Sequence, residues 1–107
     1  MSLENENFVF ITYKELDSDE FPSIHDYLES EPYQHQDKII HFLKNGKVEF
    51  AQLSRDRDIF TGERIPVEVL VMSSGDYLWP NILAWYVEKY NLRMPEEFER
   101  YILEKSK

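Results

Sequence analysis

The stretch Ser74-Gly75-Asp76-Tyr77-Leu78-Trp79-Pro80-Asn81-Ile82-Leu83-Ala84-Trp85-Tyr86-Val87-Glu88-Lys89-Tyr90 changes its apolar period part-way, and that change decides the fold. Ser74, Gly75 and Asp76 have turn chemistry, and Tyr77-Leu78-Trp79 reads as a strand returning antiparallel from that turn. From Pro80 onward a 3.6-residue period takes over. Trp79, Ile82, Leu83, Tyr86, Val87 and Tyr90 recur at spacings of three and one, which predicts a helix over 80–90 closed by a left-handed Asn91. Upstream, Pro66 to Met72 reads as a central strand, with Val67, Val69 and Val71 on one face and Leu70 and Met72 on the other. Downstream, Pro95 opens a last helix to Lys105, with Glu96 and Glu97 at its start and Phe98, Tyr101 and Ile102 as its inward stripe.

Toward the N-terminus the signals weaken. Lys47 to Leu53 reads as a strand whose apolar character switches faces, from Val48 and Phe50 to Ala51 and Leu53. Residues 54–65 read as a polar, solvated connection with local ion pairs in Arg55-Asp56-Arg57-Asp58 and a turn at Thr61-Gly62. A helix from Pro32 to Lys44 turns Gln36, Ile39, Ile40 and Leu43 inward and ends at Asn45-Gly46. A shorter helix follows Ser23, with Ile24, Tyr27 and Leu28 on one face, and stops at Glu31-Pro32. Phe8 to Tyr13 is an apolar run that suits an edge strand or a tail packed on the core. The expected fold is therefore α+β: a small antiparallel sheet of three strands, four if Phe8–Tyr13 joins, with about four helices packed on it in the order α-α-β-β-β-α-α. One domain over 1–107 is expected, with 1–7 a candidate disordered tail.

Charge is distributed unevenly. The chain of 107 residues carries −9, of which residues 1–40 hold −8, residues 41–65 hold +1 and residues 66–107 hold −2. An acidic surface repels phosphate, which argues against nucleic acid and anionic membranes as partners and favours a basic protein. The chain has no Cys, which suits a reducing cytoplasm and removes thiol chemistry. No apolar run is long enough to span a bilayer, and no secretion signal opens the sequence.

The C-terminal third, with Gly75-Asp76-Tyr77-Leu78-Trp79-Pro80, Tyr86-Val87-Glu88-Lys89-Tyr90 and Met94-Pro95-Glu96-Glu97-Phe98, resembles a set of small uncharacterised bacterial proteins. They share a G-x-Y-x-W segment, a Y-V-x-x-Y helix and a P-E-E-F helix start. The resemblance implies a bacterial, cytoplasmic setting and transfers no activity. By analogy alone, orphan domains of this size include immunity proteins of toxin systems.

Catalytic, cofactor and metal signatures are not found. His25, His35 and His41 have no ligand spacing, and His35 and His41 diverge around a helix. The three glycines all neighbour turn or cap residues, so no phosphate cradle is formed. Ser73-Ser74-Gly75 reads as a turn rather than a nucleophile elbow. The expectation is a non-catalytic interaction domain needing no cofactor, in one form an inhibitor of a basic toxin, with homo-oligomerisation left open. Its candidate contact residues are Asp17, Asp19, Glu20, Asp26, Glu29 and Trp85. Trp85 lies opposite the helical stripe, so it either packs under Phe8, Phe10 and Tyr13 or anchors an interface. The alternative is a small hydrolase or ligand-binding domain with a pocket between sheet and helices, lined by Tyr77, Tyr86 and carboxylates.

Overall fold

The turn read at 74–76 is real but shorter than expected. In the computed structural model, which describes residues 8–52 and 55–106, β3 runs Leu70–Ser74 and β4 runs Tyr77–Pro80. Ser73 and Ser74 therefore belong to the strand, and Gly75, at φ 57°, makes the reversal that a side chain would strain. Val71 and Met72 point to opposite faces and both are buried, so β3 is the covered central strand. The expected strand over 66–72 is displaced: Val67 stays exposed and regular pairing begins only at Leu70, opposite Ala51.

β2 spans Lys47–Ala51 antiparallel to β3, with a bulge at Glu49, between the pairs Val48–Met72 and Phe50–Val71. That extra residue puts Val48 and Phe50, expected on one face, on opposite faces, and both stay exposed. Leu53, expected at the end of this strand, lies outside the described residues, as does the 1–7 tail. The fourth strand, β1 at Val9–Phe10, pairs with β4 in parallel, Val9 with Tyr77 and Phe10 with Leu78. The sheet order is β1-β4-β3-β2, so the sheet is mixed and not purely antiparallel.

Three α-helices form among the described residues, not four. They are α1 at Gln36–Lys44, α2 at Leu83–Tyr90 and α3 at Glu96–Lys105. The expected first helix is a single 3₁₀ turn, Ile24–Tyr27, because Leu28 turns extended to bridge Leu92. Ser23 caps this turn through the His25 amide, two residues on rather than three. Pro32 does not open α1; His35 takes a left-handed conformation at φ 67° and the helix starts after it. Gln36 does turn inward, where its amide group donates to the Val87 carbonyl at 2.8 Å and to the Asn91 side chain at 3.1 Å. Pro80 ends β4 rather than opening α2, which begins three residues later and closes at a left-handed Asn91, φ 59°.

Trp79 is the hub of the core. It is fully buried in β4, its indole N–H donates to the Leu43 carbonyl at 3.0 Å, and its ring lies 5.3 Å from Phe42 and 5.5 Å from Phe98. This one side chain joins the sheet to α1 and α3. Gly46, just after α1, exists to let it in: a Cβ there would sit 2.6 Å from the Trp79 ring and 3.0 Å from the Ser73 carbonyl oxygen. Gly46→Ala should lower stability by about 1–3 kcal/mol through overpacking, read as a lower urea midpoint at unchanged slope.

Candidate functional site

The segment after β1 folds back on itself into an acidic lobe. The Lys14 amide donates to the Pro22 carbonyl, and the Glu15 carboxylate accepts from the Ser23 hydroxyl and the Ile24 amide, each at 2.7 Å. Burial pushes the Glu15 carboxyl up, and these two hydrogen bonds outweigh it to leave it below its ordinary value. The lobe thus ties up one carboxylate internally and shows the others to water. Asp17, Asp19, Glu20, Asp26 and Glu29 are all exposed. Among the described residues, Asp17, Asp19, Glu20 and Asp26 form no ion pair, while Glu29 lies 3.7 Å from Arg93. Asp26 and Glu29 also meet Glu96 and Glu99 around a shallow groove of about 430 Å³ in which Arg93 is the one cation among the described residues. Arg93 is committed there, gripping Glu99 through two bonds of 2.8 Å.

A second feature lies under loop 55–65. Asp58 is 1% exposed, although its neighbours suggested a solvated loop of ion pairs. Its Oδ2 accepts from the Trp85 indole N–H at 2.9 Å and the Tyr90 hydroxyl at 2.7 Å. Its Oδ1 accepts from the Phe60 and Thr61 amides at 2.7 and 3.3 Å. Burial alone would raise this carboxyl, but the four donors prevail and hold it below the ordinary carboxylate range. The same bond, with burial second, pushes the Tyr90 hydroxyl up to about 12. Arg57 does not neutralise Asp58; it reaches the Gly62 carbonyl at 3.0 Å. Trp85 is half-buried here, with Lys89 4.5 Å above its ring. Its indole is therefore held by loop 55–65 through Asp58, and it packs against the core rather than standing free.

The third feature is an open cleft of about 1110 Å³ at one end of the sheet, between α1, the β3–β4 turn and the end of α3. The β2 bulge turns Glu49 into its wall. The Glu49 side chain is 8% exposed, accepts from the Ser73 hydroxyl at 2.7 Å and lies 3.9 Å from Lys47. Lys38, His41 and Lys105 also line the cleft. Tyr77 and Tyr86 do not: Tyr77 packs on Phe98 and Tyr101, and Tyr86 is buried with its hydroxyl accepting from the Ile59 amide. All three histidines are exposed, and among the described residues no three His, Asp or Glu gather as metal ligands.

The residues that sequence reasoning missed are Asp58, Glu49 and Ser73. The broken alternation over 47–53 hinted at an irregular strand, though not at a bulge before Phe50, and Phe60-Thr61-Gly62 after Asp58 marked a turn that a carboxylate can cap. Neither signal says that the carboxylate is buried. Among the described residues, no helix is long and apolar enough to cross a membrane. No protein-family model matches the chain, and no curated protein or solved structure shows significant similarity to it.

Proposed function

We propose that the protein is a non-catalytic interaction domain whose acidic lobe receives a basic protein partner. The observation that carries this reading is the run of exposed carboxylates at Asp17, Asp19, Glu20 and Asp26, with no cation paired to them among the described residues. A fold spends little by leaving charge on a surface, but a strong excess of one sign on one lobe steers association and selects the sign of the partner. One specific form is an inhibitor of a basic toxin, where fast capture matters. In that form the protein works in the cytoplasm beside its target.

The test is affinity capture from the native host with the parent chain and with Asp17→Lys/Asp19→Lys/Glu20→Lys. The parent should retain a basic protein that salt releases, and the variant should lose it while Glu104→Lys, on α3, keeps it. Retention of an acidic protein, or equal retention by the triple variant, would refute the reading.

A second reading, a small-ligand-binding or hydrolytic domain, draws on Glu49 and Ser73 in the wall of the cleft. A metabolite screen by NMR that moves no amide in 45–49 or 73–75 removes it.

A further inference from the structure

Ile59 and Phe60 are sequence neighbours at the tip of loop 55–65, exposed by 40% and 38%. Single exposed apolar residues are ordinary on any protein. This pair differs in how its backbone is held. The Ile59 amide donates to the Tyr86 hydroxyl at 3.1 Å, and the next two amides donate to Asp58 at 2.7 and 3.3 Å. Tyr86 is buried in α2, and Asp58 is fastened to α2 by Trp85 and Tyr90. Three successive amides of a surface loop therefore hang from a core helix. The Phe60 ring is braced as well, 4.6 Å from Tyr90 and 6.1 Å from Tyr86.

A braced apolar tip is what a binding anchor requires. Association freezes little further conformation there, so the buried area is not offset by ordering cost. His25 of the acidic lobe meets Phe60 edge-on at 5.8 Å, so the tip adjoins that lobe. From this placement we infer that Ile59 and Phe60 are the apolar anchor for the same partner that the acidic lobe attracts. That partner presents an apolar socket, with basic groups on the side that faces the lobe. The inference rests on the interaction-domain reading and adds where the partner seats and how charge orients it.

The test places the photo-crosslinker p-benzoylphenylalanine at position 60 of the full chain, and separately at position 67, in the native host. Val67 is the control because it is no less exposed, at 46%, but is not hung from Tyr86 or Asp58. Position 60 should give one adduct with a basic protein and position 67 none. With that protein purified, Phe60→Ser should speed dissociation about tenfold or more, as loss of a central anchor does. Ile59→Ser should act in the same direction, and lobe charge reversals should slow association instead. No adduct at position 60, an equal adduct at 67, or unchanged dissociation in both serine variants overturns the anchor. If charge reversal abolishes capture while position 60 yields nothing, the lobe reading stands and the anchor falls. If charge reversal also leaves capture unchanged, both fall.

Discussion

Trp79→Ala should cost about 3–5 kcal/mol, the range for truncating a buried large aromatic, and leave much of the population unfolded at 37 °C. The effect is large because one ring serves three elements. It fills the space between Phe42 of α1 and Phe98 of α3, and its N–H satisfies the Leu43 carbonyl near the end of α1. Gly46 has no side chain with which to refill the gap. Urea unfolding followed by far-ultraviolet circular dichroism measures the loss. Trp79→Phe keeps most of the volume but drops the hydrogen bond, so it should fall between parent and alanine variant. An alanine variant that melts with the parent would mean that the core is not organised around this ring.

Asp58→Ala should cost about 3 kcal/mol at neutral pH, since hydrogen bonds to a charged group each contribute roughly 1.5–3 kcal/mol and the abandoned donors partly find water. The loss has a pH signature. The folded carboxyl titrates below its unfolded value of about 3.9, so its stabilisation is fully present above that pH. It is lost as the pH falls through the folded value. The gap between parent and variant should therefore be widest near pH 7 and narrow as the pH falls below about 4, measured by urea midpoints at pH 7 and pH 3. Comparing the two chains cancels the titration of the other acidic groups. A gap that persists unchanged at pH 3 would mean that the ionised form of Asp58 is not what holds the loop.

What could be read from the chain was what is local. The stripe Leu83, Tyr86, Val87 and the stripe Phe98, Ile102 are buried as their periods require, and Asn91 closes α2 in the left-handed conformation, whereas α1 ends at Asn45 with neither Asn45 nor Gly46 left-handed. Helical period and left-handed caps depend on residues within a turn or two of each other. The misreadings involve distant groups. Leu28 leaves the helical path because Leu92 offers it a bridge, and β1 chooses a parallel neighbour because β4's free edge is there. Trp79 satisfied two periods at once, and only the sheet pairing assigned it to β4. For the candidate surfaces, the exposure of Asp17, Asp19 and Glu20 followed from composition. The burial of Asp58 did not, because its donors Trp85 and Tyr90 are remote in sequence.

The parallel register of β1 also sets an order of events. Val9 pairs with Tyr77, and the Tyr13 hydroxyl donates to the Arg93 carbonyl, so the earliest described segment is completed by some of the last. Such long loop closures slow folding, because their entropy is lost before the contacts return it. During synthesis, Phe8-Val9-Phe10-Ile11 must wait as a solvated apolar ribbon until β4 has left the ribosome. The charged stretch that follows it, Lys14 to Glu20, then acts as a gatekeeper, keeping that ribbon from recruiting a neighbouring nascent chain before its own partner arrives.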